Sequence, residues 1–533
     1  MLWCQAQNLT LAWQNNASTI TDMSKPIEQL GQFVFEEFGP PRYEQLAAFF
    51  ERAIRAGELS SGDRLPTVRR LSDLMSVSAT TISSAFELLG SRKFVRAEVG
   101  RGTFVVPDWQ DVNGSSSNSI PATTPQPPHM LRETRSPWRR NALMRTSSRL
   151  RATYPTAMEC STGRPDAKLL PLEVIRRAWT DCIHGITSAD LQYAGPEPIR
   201  PLSDILVPIL EGDLIPARSQ DLIIGSSAQQ FFSLIYEVVS AKSDKSALSV
   251  AVEEPGYPTL MDTLERAGGR LLGIAVDKLG AIPASLDAAL RGGAKLVILT
   301  PRGHNPTGAS WSTERLSELA DVLKAYPDVI VVEDDQIAGI ASTKPGSLLS
   351  VPELENRVVH IRSFSKSIAP DLRMATAVAR TFLREPLSEA KTYADGWSSR
   401  LLQRVLARTL QMDEVNVALK NTRDAYRDRR QSACAALNQI VAPLGGGCWS
   451  GPDGVNVWVQ LPPGVDSKHI QERSAAAGVR IADGEPFFIS PGPNNVVRLN
   501  AASVGAEDAA RAGKIVGEAI LDYGWQNPGP IHV

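Results

Sequence analysis

The segment NRVVHIRSFSKSIAPDLRMA, residues 356–375, carries the most informative pattern in the larger part of the chain. Its apolar start passes into a serine-rich turn that carries Lys366, and Arg373 follows seven residues later. A lone lysine is almost always a surface charge, but this one directly follows a strand pattern and is flanked by Ser363 and Ser365. A lysine in such a turn can form an imine with an aldehyde cofactor, and arginine can clamp a phosphate. The stretch therefore predicts a lysine-centred site at the end of a buried strand.

Short apolar runs rich in β-branched residues alternate with helical patterns around this stretch, from about residue 153 to the end of the chain. The clearest runs are DLIIGSS at 221–227, SALSVAVEE at 246–254, AKLVILTP at 294–301 and DVIVVEDD at 328–335. Strands that alternate with helices predict a mostly parallel sheet covered on both faces. Such sheets bind ligands at the carboxyl ends of their strands. We therefore expect ligand-binding residues directly after these runs.

Polar residues do follow three of the runs. The acids EDD at 333–335 end one of them, and a carboxylate there can keep a pyridinium nitrogen protonated, although a helix N-cap cluster is the alternative. HNPTG at 304–308 offers an asparagine side chain from a rigid turn, and by itself it would be only a turn. IIGSSAQQFF opens a helix with small residues, whose free N–H groups at Ser227 and Ala228 can bind phosphate.

Residues 41–106 carry a denser helical pattern that ends in a hairpin signal. TVRRLSDLMSVS at 67–78 predicts a short helix and a turn, and Ser78 is expected to cap the next helix, whose slim first turn suits a major groove. FVRAEVGRGTFVV predicts two strands with Arg101 at the tip, suited to a minor groove or a phosphate. An earlier predicted helix has one apolar face, formed by Leu46, Phe49, Phe50, Ala53 and Ile54. Together these patterns predict a helix–turn–helix with a two-stranded wing.

The segment between these two parts, residues 107–152, is predicted to be a linker. Residues 107–130 hold five prolines and a run of serine and asparagine, which is typical of a flexible tether. Residues 131–151 carry seven arginines and one glutamate. That basic segment is either a solvated stretch of chain or an arm that contacts DNA phosphates. Residues 1–40 form an N-terminal extension to which we assign no function.

Composition excludes several classes of protein. Hydrophobic residues at 43% and charged residues at 21% exclude wholesale disorder and a fibrous repeat. No apolar run approaches the roughly 18–20 residues that cross a bilayer, so no membrane association is expected. The five cysteines form no Cys-x-x-Cys pair and have no histidine at ligand spacing, which predicts reduced thiols, no metal site and a cytoplasmic location.

The residues of the N-terminal motifs, and not only their spacing, match one protein family. GDRLPTVRRLSDLMSVSATTI at 62–82, followed by GRGTFV at 100–105, closely resembles the winged helix–turn–helix of the GntR family of bacterial regulators. Two arginines that the family carries in this region are replaced by Ala79 and Ser83, so the operator sequence does not follow from relatives. The resemblance implies that the DNA-binding residues are Arg69, Ser78, Thr80, Thr81, Arg101, Gly102 and Thr103.

The large domain resembles the fold-type I aminotransferases. The motifs GSSAQQ, EEPGYP, HNPTG, EDD, SFSK with its trailing arginine, and VVRLN occur in that family's order between about residues 153 and 525. The resemblance implies pyridoxal 5'-phosphate (PLP) as cofactor, with Lys366 as the Schiff-base lysine and Asp334 as partner of the pyridine nitrogen. It also implies a mostly parallel central sheet and a small C-terminal α+β subdomain.

The same resemblance assigns the remaining site residues. Asn305 would bond the ring oxygen, Tyr257 would stack on the ring, and Arg498 would pair with an effector carboxylate. Gln336 stands where the family has a tyrosine that bonds the ring oxygen, which alters the tuning of the imine. Tyr193 would reach the cofactor of the neighbouring subunit. The phosphate would be bound by Ser227, Ala228, Ser363, Ser365 and Arg373.

A GntR-type winged domain at 41–106, a linker at 107–152 and an aminotransferase-like domain at 153–533 form the architecture of the MocR subfamily of bacterial regulators. The resemblance implies a homodimeric, PLP-dependent transcriptional regulator that binds PLP as an internal aldimine and a double-stranded DNA operator. It would sense an amino compound or PLP itself. The alternative is an aminotransferase with an accessory DNA-binding module. We expect a regulator with at most a residual half-reaction, since an enzyme gains nothing obvious from a winged domain.

Overall fold

The computed structural model describes residues 42–55, 59, 62–75, 77–91, 94–98, 102–106, 136–242, 247–490 and 492–526. The chain divides into two compact units, residues 1–126 and 127–533. None of the described helices is long and apolar enough to cross a membrane.

The first unit is a small helical domain with a two-stranded wing. Its elements are α1 (Arg42–Arg55), α2 (Val68–Met75), α3 (Ala79–Ser91), β1 (Val95–Glu98) and β2 (Gly102–Val105). The two strands pair antiparallel, with Val95 opposite Val105. Fully buried side chains from the three helices form one core, among them Leu46, Phe50, Ile54, Leu71, Ile82 and Leu89. The predicted helix–turn–helix with its wing is confirmed.

The core of the second unit is a mixed eight-stranded sheet in the order β4-β11-β10-β9-β8-β5-β6-β7. Neighbouring strands from β10 through β9, β8 and β5 to β6 run parallel, whereas β11 and β7 pair antiparallel with their neighbours. The strands are β4 (Leu222–Gly225), β5 (Ser249–Glu254), β6 (Arg270–Asp277), β7 (Gly280–Ala281), β8 (Leu296–Leu299), β9 (Ile330–Asp335), β10 (Val358–Ser363) and β11 (Ala375–Ala379). The mostly parallel sheet is thus confirmed.

Helices cover both faces of this sheet, and two separate apolar cores lie between the layers. The strands β4, β8 and β10 are buried along their whole length, because side chains from both faces of each strand enter a core. The helices are α5 (Leu172–His184), α6 (Arg200–Gly212), α7 (Ala228–Ala241), α8 (Pro258–Arg266), α9 (Pro283–Arg291), α10 (Thr313–Lys324), α11 (Thr381–Asp395) and α12 (Arg400–Gln411).

A smaller α+β lobe completes the second unit. Its antiparallel sheet has the order β12-β13-β16-β15, and a separate parallel pair joins β14 to β3. The strands are β3 (Met158–Glu159), β12 (Gly447–Trp449), β13 (Asn456–Gln460), β14 (Val479–Arg480), β15 (Ala482–Asp483) and β16 (Val496–Asn500). Its helices are α13 (Asp413–Val441), α14 (Ser467–Ala476) and α15 (Ala506–Gln526). The predicted C-terminal α+β subdomain is confirmed.

The predicted linker at 107–152 differs from the structure in its second half. Residues Ser136–Thr153 form a helix, α4, that packs on α8 of the large unit. Within it, Arg139 is fully buried and forms ion pairs with Asp262 at 3.2 Å and Glu265 at 2.7 Å. The two acids lie more than 120 positions further along the chain. The local excess of arginine predicted a linker, whereas the segment is a helix that belongs to the folded unit.

The prediction of five reduced cysteines is corrected for two of them. Cys434 on α13 and Cys448 on β12 form a disulfide, with a Cα–Cα distance of 5.9 Å. Their 14-residue separation matches no metal or redox motif, and only the packing of β12 against the end of α13 brings them together. Cys160 and Cys182 are free.

Candidate functional site

A cavity of about 330 Å³ opens at the carboxyl ends of β9 and β10. Parallel strands with crossover helices leave such a crevice at this edge of the sheet. The structure brings eleven of the residues expected in the cofactor and effector site into its lining: Ser227, Ala228, Tyr257, Asn305, Asp334, Gln336, Ser363, Ser365, Lys366, Arg373 and Arg498. These residues come from both lobes of the second unit.

Lys366 and Asp334 are two ionisable groups that line the cavity. The Lys366 ammonium donates a hydrogen bond to the carbonyl of Gly163 at 3.1 Å. Burial lowers the pKa of Lys366, and the Asp334 carboxylate opposes that effect. Burial, together with repulsion from Asp335, raises the pKa of Asp334 from 3.8 to about 7. An amine whose pKa lies below that of an ordinary lysine and a carboxyl group that titrates near neutrality thus face the same cavity.

The Oδ1 atom of Asp334 is buried and has no hydrogen-bond partner in the described part of the chain. Its neighbours on β9 point away from the cavity: Asp335 pairs with Arg302 at 2.6 Å, and Glu333 bonds His360 at 2.8 Å. Although burial alone would raise it, the pKa of Asp335 is held far below its usual range by Arg302. Alternation along the strand leaves one of the three predicted acids facing the cavity without a partner.

One end of the cavity is suited to a phosphate group. Ser227 caps α7, its hydroxyl accepting a hydrogen bond from the N–H of Gln230 at 3.2 Å. The N–H groups of Ser227 and Ala228 make no hydrogen bond among the described residues and lie at the positive end of the helix. Arg373 lines the same cavity from a left-handed backbone conformation with φ of 52°. A Cβ on Gly225 would meet the buried Phe231 ring at 2.7 Å, so a larger residue between β4 and α7 would have to displace that ring.

The other end is built around Arg498. Its guanidinium donates to Asn305 Oδ1 at 3.1 Å and to the carbonyl of Ser161 at 2.6 Å, and it lies 4.9 Å from the centre of the Phe487 ring. Burial lowers the pKa of Arg498 to about 10. The Nε atom of Arg498 is buried without a partner among the described residues. This end therefore presents a fixed, desolvated cation.

Among the lining residues that the sequence did not predict, Asn456 and Arg164 bear most directly on the site. Asn456 on β13 donates to Asn305 Oδ1 at 3.2 Å, and it therefore orients the amide expected to contact the cofactor. An asparagine inside the apolar run GVNVWVQL was the available signal. Arg164 also lines the cavity, and its place between Gly163 and Pro165 gave no signal beyond a turn.

Three predicted residues near the cavity need separate description. Gln336 donates from Nε2 to the carbonyl of Gly303 at 3.2 Å. Tyr257 is the N-cap residue of α8, and burial raises its pKa. Tyr193 does not line this cavity: the residue is 88% exposed, and its ring lies 5.5 Å from that of Trp397.

The residues expected to bind DNA gather on the first unit. Arg69 on α2 and Ser78 before α3 are exposed, and Ser78 caps α3 by accepting the N–H of Thr81 at 3.2 Å, as predicted. Thr80 lies in the first turn of α3. Gly102 and Thr103 begin β2, and Gly102 has φ of 123°, which favours glycine. Arg101 lies outside the described residues.

Comparison with known proteins matches both units. A family model described as "Bacterial regulatory proteins, gntR family" matches residues 42–105, and one described as "Aminotransferase class I and II" matches residues 212–515. The vitamin B6 salvage pathway transcriptional repressor PtsJ of Salmonella typhimurium is 35% identical over 251 residues, which span 47% of this chain and 56% of that protein. The HTH-type transcriptional regulator TauR of Rhodobacter capsulatus is 28% identical over 83% of this chain and 89% of its own length.

Among solved structures, the kynurenine aminotransferase of Pyrococcus horikoshii, crystallised in complex with PMP, is similar to the second unit. The TM-score is 0.65 at 26% sequence identity, and the match covers 71% of this chain and 94% of that one.

Proposed function

This chain belongs to the aminotransferase class I and II family and carries a GntR-family domain ahead of the family fold, and on that premise we propose that it is a PLP-dependent transcriptional regulator. The winged unit would bind an operator in double-stranded DNA. The second unit would bind PLP and respond to an amino compound, or to PLP itself. The relatives named as transcriptional regulators, one of them a vitamin B6 salvage repressor, support this proposal.

The observation that carries the cofactor assignment is the buried Asp334 Oδ1 without a partner, in the same cavity as Lys366. A pyridinium N–H would give that oxygen the hydrogen bond it lacks, since a buried acceptor without a donor is costly. Ser227, Ala228, Ser363, Ser365 and Arg373 would hold the phosphate. Asn305 and Gln336 would hold the ring oxygen, and Tyr257 would cover the ring. The residues present therefore fit PLP.

When bound, PLP supplies an aldehyde that condenses with amines and a ring that withdraws electrons. The lowered pKa of Lys366 favours the neutral amine that such a condensation requires. Asp334 holds a proton at the pyridine nitrogen. Arg498 positions the carboxylate of an incoming amino acid, and its buried surroundings strengthen that contact.

An effector alters DNA binding only if it binds two states of the regulator with different affinity. We propose that occupancy of the cavity shifts the balance between two arrangements of a homodimer, which differ in how two winged units reach two half-sites. The exposed Tyr193 is the residue that would complete the cavity of the partner subunit.

The test is a gel shift with the full chain and the DNA upstream of its own gene, with and without PLP, against competitor DNA. We expect specific retention that changes with PLP. The variant Lys366→Ala should still bind the DNA but lose the borohydride-reducible imine and the response to PLP, whereas the exposed Lys324→Ala should behave as the unaltered chain. Retention that is salt-sensitive and indifferent to sequence, or an unchanged reducible imine in Lys366→Ala, would contradict the proposal.

The second candidate is an aminotransferase with an accessory DNA-binding unit. It is favoured by the cavity itself, which brings together Lys366, Asp334, Asn305 and Arg498. Gln336 in the place of the family tyrosine weighs against fast turnover. Sustained multiple turnover with an amino donor and a keto acceptor would support the enzyme, and a single half-reaction would support the regulator.

A further inference from the structure

A second cavity of the large unit, of about 260 Å³, lies between α6, α12, α13 and the segment that follows β9. None of the residues that line this second cavity also lines the cofactor cavity. The two linings are adjacent in sequence, because Ser367 of the second cavity directly follows Lys366 of the cofactor cavity. One side is apolar and includes Ile209, Leu410 and Leu419. The other side is charged. The cavity is thus amphipathic, with room for a small organic molecule.

The charged side carries more cations than acids. Arg302, Lys344, Arg362 and Arg423 line it, against Asp213 alone. Arg302 is fully engaged, with Asp335 at 2.6 Å, Asp213 at 3.0 Å and the carbonyl of Thr343 at 3.1 Å. The Asp213 carboxylate is shared further, with Arg362 at 2.8 Å and Lys344 at 3.5 Å. Asp335 pairs with Arg302 but does not line the cavity. Even when Asp335 is included, four cationic side chains are balanced by only two carboxylates.

The surplus charge is accompanied by unused hydrogen-bond donors. The Nε atoms of Arg362 and Arg423 are buried and have no partner in the part of the chain that the structure describes. The Arg362 side chain is only 5% exposed, so water cannot solvate it freely. Another nitrogen of the Arg423 guanidinium donates to the carbonyl of Gly339 at 3.4 Å. Buried guanidinium N–H groups without acceptors favour an acceptor in the cavity.

We propose that this cavity is a binding site for a small organic acid with an aliphatic body. Its carboxylate accepts hydrogen bonds from Arg362 and Arg423, and its apolar part packs against Ile209, Leu410 and Leu419. The carboxylate balances the positive charge that Asp213 and Asp335 leave uncompensated. This site is independent of the PLP and DNA assignments, because it uses neither the cofactor cavity nor the winged unit.

The test is isothermal titration calorimetry of the PLP-loaded full chain with 4-methylpentanoate and with its uncharged counterpart, 4-methylpentanamide. We expect the acid to bind and the amide to bind at least about tenfold more weakly, since a hydrogen bond to a charged group is lost. Arg423→Gln should weaken binding of the acid about tenfold or more. Arg427→Gln is the matched control, because Arg427 lies one turn further along α13 and pairs with Asp424 and Asp428 at the surface. It should leave the affinity unchanged.

A further variant tests the location without disturbing the buried charges. Asn416 lines the cavity and is exposed, so Asn416→Cys should fold normally, and its modification with a bulky thiol reagent should block binding of the acid. The unaltered chain treated with the same reagent controls for its free cysteines. The proposal is overturned by equal affinities for acid and amide, by absence of binding, or by binding that survives both changes. Binding lost only in Arg498→Met would assign the acid to the cofactor cavity instead and overturn it as well.

Discussion

Asp334 is a carboxyl group whose environment predicts a measurable pH dependence of stability. Its pKa in the folded chain is about 7 because burial and Asp335 disfavour the charged form, against 3.8 for an ordinary aspartate. The folded PLP-free state therefore binds the proton more tightly than the unfolded state. The stabilisation by this proton is fully present below about pH 4 and is lost as the pH rises through about 7.

We therefore predict that Asp334→Asn raises the stability of the PLP-free chain relative to the unaltered chain, and that this gain grows by about 2–3 kcal/mol between pH 5 and pH 8. The measurement is the thermal midpoint of both proteins across that range. The exposed Asp321→Asn serves as a control and should show no such trend. PLP affinity should fall in Asp334→Asn, since the pyridine nitrogen loses its anionic partner. A stability difference that is constant from pH 5 to pH 8 would be evidence against this assignment of the proton.

Residues that directly follow a strand were predictable from the sequence, and residues placed by packing were not. Lys366, Asp334 and Asn305 each follow an apolar run, so their convergence needs only the rule that parallel strands end at one edge. Asn456 and Arg164 reach the cavity through the smaller lobe and a turn, and their position depends on how two lobes pack. The same holds for Asp262 and Glu265, whose arginine partner precedes them by more than 120 residues.

Helix α4 joins three parts of the second unit through one side chain. Arg139 forms ion pairs with Asp262 and Glu265 on α8, and it donates to the carbonyls of Phe488 at 3.1 Å and Ile489 at 2.7 Å. The segment 485–490 belongs to the smaller lobe, whose Phe487 packs on Arg498. Burial raises the pKa of Asp262 to about 6 even with Arg139 beside it, so removal of the arginine leaves poorly solvated acids.

Arg139→Met should accordingly destabilise the second unit by about 3 kcal/mol, because removing one partner of a buried ion pair strands the other. Arg149→Met is the matched control on the same helix: its ion pair with Glu472 is exposed, and its loss should cost within about 1 kcal/mol. Calorimetry of both variants measures the difference, and hydrogen exchange in residues 136–153 should rise only in Arg139→Met. Equal effects of the two substitutions would show that Arg139 contributes no more than a surface charge.

Helix α2 presents Arg69 to solvent, and the resemblance to the GntR family makes this residue an expected DNA contact. We predict that Arg69→Ala weakens operator binding and lowers the dependence of log affinity on log salt by about one ion, because one phosphate contact is lost. Fluorescence anisotropy with labelled operator DNA at several salt concentrations measures both. Arg176→Ala removes an exposed arginine from the second unit and should change neither quantity. An unaltered salt dependence in Arg69→Ala would exclude a phosphate contact by this residue.

The elements of the chain were predictable where local patterns and packing agree. The capping serine, the wing and the alternation of strands and helices follow from spacing and turn chemistry. The Ser136–Thr153 helix was not predictable, because its charge suggested a solvated arm. The Cys434–Cys448 disulfide was not predictable either, because its spacing matches no motif. The helix depends on contacts with residues that are distant in the chain, and the disulfide depends on packing that forms only when the chain folds.

The second unit carries an exposed aromatic residue in a well-fixed segment, and that combination concerns the assembly of the whole protein. Arg400 donates to the carbonyls of Ala189 at 3.0 Å and Gln192 at 2.8 Å, and Arg404 pairs with Asp190. Tyr193 follows this turn, yet the residue is 88% exposed. An ordered but exposed tyrosine is typical of a residue that contacts a partner subunit.

If Tyr193 completes the cavity of the partner, two defective subunits should complement each other. Tyr193→Ala should weaken PLP binding about tenfold or more through loss of a hydrogen bond to a charged group, and Lys366→Ala abolishes the reducible imine. In a mixed dimer, the subunit with intact Lys366 receives its tyrosine from the other, so one of the two cavities is whole. Coexpression with two different affinity tags, tandem purification and borohydride reduction should recover about half of the unaltered PLP incorporation at limiting PLP. A tyrosine acting within its own subunit predicts no recovery, because no cavity would then contain both residues.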